Sequence, residues 1–189
     1  MTSPTMPERE TGLCLLLDAN RINARQLDEY MNQIERWAES GVIFLYWPEP
    51  AAIEGMQGGN VRRFKKVSMF GPKMQALANT PEEQKLLMEI STVLFDGPPK
   101  TEGQYHDVNI AFITKKYAGS LITEDGGSKR QPGGLLGRRT QLKHRFGIQI
   151  YRTSEVVELV RTRIRLRDER AMMVSTHTAQ SLPDWVGKD

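Results

Sequence analysis

The stretch GLCLLLDAN, residues 12–20, decides the fold, because it is apolar without alternation from Leu13 to Leu17 and then stops at Asp18. A strand that faces solvent on one side alternates apolar and polar residues, whereas a strand buried on both faces is apolar throughout. Doubly buried strands of this kind belong to parallel sheets that helices cover on both sides. The stretch therefore predicts a strand buried on both faces of a parallel sheet.

Strands and helices alternate along the chain on either side of that stretch. Helical spacing of Leu27, Met31, Ile34 and Trp37 predicts a helix that Asn23 caps. The later predicted elements are a strand in VIFLYWP (42–48), a short helix in PEPAAIEGM (48–56) that Gly58-Gly59 ends, a helix that Thr80-Pro81 begins, a helix in 105–119, strands in SLIT (120–123) and FGIQIY (146–151), and a helix in 154–171. This order predicts a three-layer α/β/α sandwich around a mainly parallel sheet.

Length and composition are those of one ordinary domain. The chain has 189 residues, of which 39% are hydrophobic and 26% charged, and it has no apolar run near the roughly 18 residues of a membrane span. Residues 1–11 are predicted to form a flexible lead-in, 12–170 the domain and 171–189 a C-terminal tail. The single cysteine, Cys14, excludes an internal disulfide and a cysteine-based zinc site, and it favours a reducing cytoplasm.

Four carboxylates are predicted to converge at one edge of the sheet. Asp18 and Asp125 follow predicted strands, Glu54 lies one helical turn beyond another, and Asp107 lies near the start of a helix that leads into SLIT. Ligands bind at the carboxyl ends of parallel strands. Acids crowded there repel one another unless a cation joins them, and hard cations such as Mg²⁺ prefer carboxylate oxygens. The arrangement predicts a metal site suited to phosphodiester hydrolysis.

Each of these acids also has an ordinary structural explanation. Asp18 is compatible with a loop acid that accepts from backbone amides, and Glu54 with an exposed helix residue. Asp107 suits a helix N-terminus, and Asp125 before Gly126 suits a turn. Taken singly, each structural explanation is the stronger one, and only the coincidence of the four favours function.

The same four segments resemble the motifs of PIN-domain ribonucleases. LLLDAN (15–20) resembles the first motif and YWPEPAAIE (46–54) the second. DVNIAFITKKYAGSLITED (107–125) resembles the third and fourth motifs joined, and FGIQIY with TSEVVELV (153–160) resembles the closing strand and helix. The resemblance covers about 13–167, and no single motif is specific.

The resemblance implies a ribonuclease that uses Mg²⁺ or Mn²⁺. It implies Asp18, Glu54, Asp107 and Asp125 as catalytic, metal-binding acids, and products with 5′-phosphate and 3′-hydroxyl ends. Asn20 and Thr123 match polar positions that support the acids by hydrogen bonds. Many relatives are dimeric toxins that a small antitoxin protein inhibits. Glu124 and the glycines after Asp125 depart from the usual pattern, so Glu124 is a further candidate ligand.

A basic, glycine-rich segment at about 126–146 is predicted to be an inserted loop. It combines glycines and a proline, which suggest mobility, with cations that suit phosphates, and we expect it to close over RNA beside the metal site. A surface loop without a role is the equal alternative. Its candidate RNA-binding residues are Lys129, Arg130, Arg138, Arg139, Lys143 and Arg145.

Three function classes remain open from the sequence. The leading one is an endoribonuclease, and the alternatives are a non-catalytic RNA-binding module and a phosphohydrolase for small phosphate esters. The chain has no Gly-x-Ser-x-Gly segment of serine hydrolases, and the glycines at 133–137 lack the Lys-Ser/Thr of a P-loop. The Asp-x-Asp pair of haloacid-type phosphatases is also missing at Asp18-Ala19-Asn20.

Overall fold

A computed structural model describes residues 5–23, 25–57, 60–69, 73–130 and 132–189. Residues 1–4 of the predicted lead-in, Gly58-Gly59 and Gln131 of the predicted insertion lie outside these ranges. The strands are β1 (Cys14–Leu17), β2 (Phe44–Pro48), β3 (Lys73–Met74), β4 (Ser120–Ile122) and β5 (Gln149–Tyr151). The helices are α1 (Glu29–Glu39), α2 (Glu49–Met56), α3 (Val61–Met69), α4 (Pro81–Phe95), α5 (Glu102–Lys116), α6 (Gly134–Gly137), α7 (Arg139–Phe146) and α8 (Thr153–Thr178).

The strands form a five-stranded sheet in the order β3-β2-β1-β4-β5. Every pairing is parallel, and β1 lies at the centre, where Leu15 pairs with Leu45 of β2 and Leu16 with Leu121 of β4. The predicted fold class is confirmed. The central position of β1 explains why its sequence is apolar without alternation.

Two apolar cores lie on opposite faces of the sheet. Leu16 belongs to the core formed with α4, α5, α6 and α7, whereas Leu15 and Leu17 belong to the core formed with α1, α3 and α8. Alternate side chains of one strand point to opposite faces, so the two cores divide the residues of β1 between them. These two cores make the three layers of the sandwich.

Helix boundaries agree with the predicted caps in one case and disagree in another. The hydroxyl of Thr80 accepts a hydrogen bond from the backbone N–H of Glu83 at 3.2 Å, as predicted for the start of α4. The prediction that Asn23 caps the first helix is wrong. The helix α1 begins at Glu29, Asp28 is its cap, and Leu27 is 80% exposed instead of lying on the apolar face.

The segment after α2 also differs from its prediction. Residues 61–69 form a full helix, α3, where we expected only a helix end and a loop. The strand β3 was not predicted, and its two residues pair with Trp47 and Pro48 at the edge of the sheet. Two residues carry too little pattern for a strand to be recognised from the sequence.

The prediction of a loop over residues 126–146 is wrong for its second half. Residues 134–137 and 139–146 are helical, and Leu135, Leu136, Leu142 and Phe146 are buried in the core. These apolar residues are spaced to reach the core from two short helices. The segment is therefore a packed part of the domain.

The last helix is longer than predicted. α8 continues to Thr178, so the predicted boundary between domain and tail at residues 170–171 falls inside it, and Ala171 and Val174 are buried. Beyond the helix the chain folds back, and the side chain of Asp189 forms ion pairs with Arg9 and Arg167 at 2.5 and 2.9 Å. Among the described helices, none is both long and apolar enough to cross a membrane.

Candidate functional site

The carboxyl ends of β1 and β4 place Asp18 and Thr123 side by side. The two strands are parallel neighbours, and the backbone N–H of Asp18 donates to the carbonyl of Ile122 at 3.0 Å. The backbone N–H of Thr123 donates in turn to the carbonyl of Tyr151 in β5 at 3.1 Å. The sheet's own hydrogen bonds thus fix the backbone from which both side chains project.

Asp18 is held in one orientation by three hydrogen bonds. Its Oδ2 accepts from the Thr123 hydroxyl at 2.6 Å and from the Asn20 amide at 2.7 Å, and its Oδ1 accepts from the Ala19 backbone N–H at 2.6 Å. Asn20 and Thr123 are the two residues for which the resemblance to PIN domains implies this supporting role. A carboxylate has about four acceptor positions, so these contacts leave room for one further ligand.

Asp18 is buried and Asp107 is half-buried, and the charges of Glu54 and Asp125 act on both. Burial, together with the charges of Asp125, Asp18 and Glu54, raises the pKa of Asp107 to about 8. Burial also raises the pKa of Asp18, with further contributions from Glu54 and Asp125, against the opposing hydrogen bonds from Thr123 and Ala19. Four acids from four separate chain segments therefore share one electrostatic environment, although Glu54 itself is exposed.

Asp107 reaches this edge from within a helix, not from its start. α5 begins at Glu102, with Thr101 as its cap, so Asp107 is more than one turn inside it. The helix runs back from the carboxyl edge of the sheet toward the beginning of β4. Its first two turns consequently lie beside the strand ends, and the explanation of Asp107 as a helix N-terminal residue does not hold.

The carboxylates share a charge environment without sharing a single coordination point. Within the described ranges, no three His, Cys, Asp or Glu side chains converge closely enough to hold one metal ion. Carboxylates at this range repel one another, which favours separated side chains until a cation is bound between them. The charges of Asp125, Asp18 and Glu54 act on the pKa of Asp107, but coordination of one ion would require the side chains to turn toward one another.

Asp125 is held against the beginning of α6. Its Oδ2 accepts from the backbone N–H of Leu135 at 3.1 Å, and its own N–H donates to the Thr123 hydroxyl at 2.9 Å. The glycines of this segment permit close contact, not mobility. A Cβ on Gly134 would lie 2.3 Å from Asp125 Oδ2, and a Cβ on Gly126 would lie 1.8 Å from the Gly133 carbonyl oxygen.

Gly134→Ala is expected to destabilise the protein by about 2 kcal/mol and to displace Asp125. The new methyl would overlap the Asp125 carboxylate, and the backbone φ of +74° is unfavourable for alanine. Urea denaturation measures the change in the free energy of unfolding. Gly133→Ala is the matched control, because nothing lies within 4 Å of its added Cβ. Equal stability of the two variants would contradict the packing role of Gly134.

Glu124, the additional candidate ligand, is bound by Arg152 and Thr153. Its Oε2 accepts from Arg152 at 2.5 Å, and its Oε1 accepts from the Thr153 backbone N–H and hydroxyl, each at 3.2 Å. These contacts place it at the beginning of α8. It does not contribute to the raised pKa of Asp107 or Asp18.

Two of the predicted RNA-binding arginines are engaged in ion pairs. Arg138 pairs with Asp96 at 3.2 Å, and Arg139 pairs with Glu155 at 2.8 Å. Arg139 and Lys143 line a hollow of about 390 Å³ beside β5. Lys129, Arg130, Lys143 and Arg145 are exposed.

The sequence analysis missed Arg63, which contacts the backbone beside two of the acids. Its guanidinium donates to the carbonyl of Ala19, next to Asp18, and to the carbonyl of Gly55, next to Glu54, each at 3.3 Å. The only sequence signal was the basic character of NVRRFKK (60–66), which does not distinguish a site from a solvated surface.

No model of a known protein family matches this chain, and no curated protein matches it either. The resemblance to PIN domains therefore stays a prediction that the four sequence motifs carry.

Proposed function

We propose that this protein is a metal-dependent endoribonuclease that hydrolyses RNA phosphodiester bonds at the cluster of Asp18, Glu54, Asp107 and Asp125. One observation carries the proposal. At the carboxyl edge of a parallel sheet, burial, together with the charges of Asp125, Asp18 and Glu54, raises the pKa of Asp107 to about 8. Strongly shifted acids in such a position are typical of functional sites.

The chemistry of the donor set fits Mg²⁺ or Mn²⁺. All four side chains offer carboxylate oxygens, the ligands that these hard cations prefer. Asp18 keeps an acceptor position beyond its three hydrogen bonds. A divalent ion held by these carboxylates would lower the pKa of water and neutralise charge that develops on the phosphodiester.

The chain's own residues supply position and charge. Thr123 and Asn20 orient the Asp18 carboxylate, and the α6 backbone orients that of Asp125. In hydrolysis a water oxygen bonds to phosphorus and releases a proton, the bond from phosphorus to the 3′ oxygen breaks, and that oxygen takes up a proton. A site held rigidly by the sheet lowers the cost of aligning these atoms.

The direct test is cleavage of a labelled single-stranded RNA by the wild-type protein. We expect cleavage with Mn²⁺ or Mg²⁺, products with 5′-phosphate and 3′-hydroxyl ends, and no cleavage with excess EDTA. RNA that is bound but left intact under all these conditions would contradict the proposal and support the non-catalytic alternative. The separation of the carboxylates within the described residues is the observation that favours that alternative.

A phosphomonoester substrate separates the ribonuclease from the remaining alternative. We expect little turnover of p-nitrophenyl phosphate under conditions in which RNA is cut. Faster turnover of the phosphomonoester would identify a small-molecule phosphohydrolase instead.

The proposal includes a cytoplasmic location, where RNA is present and a reducing environment suits the single Cys14. A small antitoxin protein and a second copy of the chain, the partners implied by the resemblance, stay predictions.

A further inference from the structure

A groove lies directly beside the carboxylate cluster. It has a volume of about 660 Å³, which is within the roughly 300–1,000 Å³ of typical ligand sites. It is formed by the segment that follows β1 and by the beginning of α3. The residues that carry its chemistry are Asn20, Arg21, Arg25, Asp28, Arg62 and Arg63.

The groove is strongly basic. Four arginines line it together with a single acid, Asp28, which pairs with Arg21 at 3.2 Å. Within the described ranges, Arg25, Arg62 and Arg63 have no acidic partner. Arg63 is held instead by two neutral carbonyls, so its position is fixed while its charge stays available. Guanidinium groups of this kind suit phosphate oxygens, which accept from two N–H groups at once.

Two contacts join the groove to the proposed site of hydrolysis. Asn20 lines the groove and donates to Asp18 at 2.7 Å. Arg63 contacts the residues that follow Asp18 and Glu54. If a nucleic-acid strand passes the carboxylates, its neighbouring phosphates would therefore contact these arginines.

We infer that this groove binds the phosphate backbone of a single-stranded nucleic acid and thereby presents the strand to the carboxylate cluster. The inference rests on the proposed function for the identity of the strand as RNA. It assigns the main backbone contacts to Arg25, Arg62 and Arg63, and not to the exposed cations of residues 129–145. Contacts with phosphates position a strand without reading its bases.

The test measures binding of a labelled single-stranded RNA in EDTA by wild-type protein and by the double variant Arg25→Ala/Arg62→Ala. Both side chains are exposed and lie outside the carboxylate cluster. We expect roughly tenfold weaker binding at low salt. The slope of log affinity against log salt should fall by about 1.4, since each phosphate contact on a single strand contributes about 0.7.

Two control variants remove the same charge elsewhere. Arg163→Ala/Arg165→Ala changes exposed arginines of α8, and Lys129→Ala/Arg130→Ala changes the basic segment that the sequence favoured. Both are expected to keep the wild-type salt slope. A larger loss in the Lys129→Ala/Arg130→Ala variant than in the groove variant would overturn the assignment.

Other probes identify what the groove accepts. Single-stranded DNA of the same sequence should bind about as tightly as RNA, because the arginines contact phosphates, and binding of RNA alone would overturn the backbone assignment. If polyglutamate displaces bound RNA as effectively as DNA displaces it, the groove is instead a site for acidic proteins.

The groove and the ribonuclease can fail separately. Unchanged binding by the groove variant, in a protein whose wild type cuts RNA with Mn²⁺, would overturn the groove alone. Weakened binding by the groove variant, in a protein that never cuts RNA, would support the groove and overturn the ribonuclease.

Discussion

Asp107→Asn is expected to reduce RNA cleavage by roughly 1,000-fold and at the same time to stabilise the metal-free protein. Loss of a metal-binding carboxylate removes several kcal/mol of transition-state stabilisation, and each 1.36 kcal/mol corresponds to a factor of ten. Single-turnover cleavage of labelled RNA with Mn²⁺ measures the rate. Glu124→Gln is the matched control, because that carboxylate faces Arg152 and Thr153.

The gain in stability follows from the raised pKa of Asp107. The folded carboxyl has a pKa of about 8, compared with an ordinary value of 3.8, so between these pH values the folded state binds more protons than the unfolded state. The contribution of Asp107 to stability therefore falls as pH rises through this window. An asparagine avoids that loss. The full shift corresponds to roughly 4 kcal/mol at pH 7, and solvent around the half-buried side chain reduces it, so we expect a gain of roughly 2 kcal/mol in EDTA.

Added Mn²⁺ should make the wild type more stable than Asp107→Asn, which reverses the order expected in EDTA. An ion that binds only the folded state at about a hundred times its dissociation constant stabilises it by about 2.7 kcal/mol. We expect this stabilisation, measured as a higher Tm, for the wild type and little of it for Asp107→Asn. A variant that cuts RNA at the wild-type rate, or that gains as much Tm from Mn²⁺, would contradict the assignment of Asp107.

Arg167→Ala is expected to destabilise the protein by about 3–5 kcal/mol, the cost of breaking a buried ion pair. The side chain of Arg167 is 5% exposed and pairs with Asp168 at 2.7 Å and with Asp189 at 2.9 Å. Its guanidinium also lies 4.3 Å from the centre of the Trp185 ring. Removing it leaves two buried carboxylates with fewer partners.

Urea denaturation at neutral pH measures this loss. Arg161→Ala is the control, because its pair with Glu158 is exposed on the same helix and should contribute under about 0.5 kcal/mol. A change of similar size in both variants would contradict the role of the buried pair. Arg167 lies in the second half of α8 and is not one of the proposed site residues. RNA cleavage by the folded fraction should therefore be unaffected.

The fold was predictable because the strongest sequence signals report burial directly. A short unbroken apolar run such as residues 13–17, bounded by Gly12 and Asp18, is typical of a strand covered on both faces. A Thr-Pro start with Glu83 in the first turn marks a helix whatever it packs against. Errors arose where a pattern was incidental. Leu27 has helical spacing with Met31, but Asp28 caps the helix after it.

The glycines after Asp125 were misread for a similar reason. A glycine permits mobility and also permits close approach, and the sequence does not distinguish the two. In the structure these glycines allow backbone segments to pack closely. A Cβ on Gly126 or Gly137 would lie under 2 Å from a backbone oxygen of the same segment.

The sequence by itself determined the longer apolar strands, their mainly parallel arrangement and the acids that follow them, because these depend on local composition and on the alternation of strands with helices. Only the tertiary structure decided that Asp107 feels three other charges, that Glu124 turns to Arg152, and that Arg25, Arg62 and Arg63 border the same edge. Those relations depend on side-chain direction and on contacts between residues far apart in the chain. The spacing of residues along the chain determines neither of these.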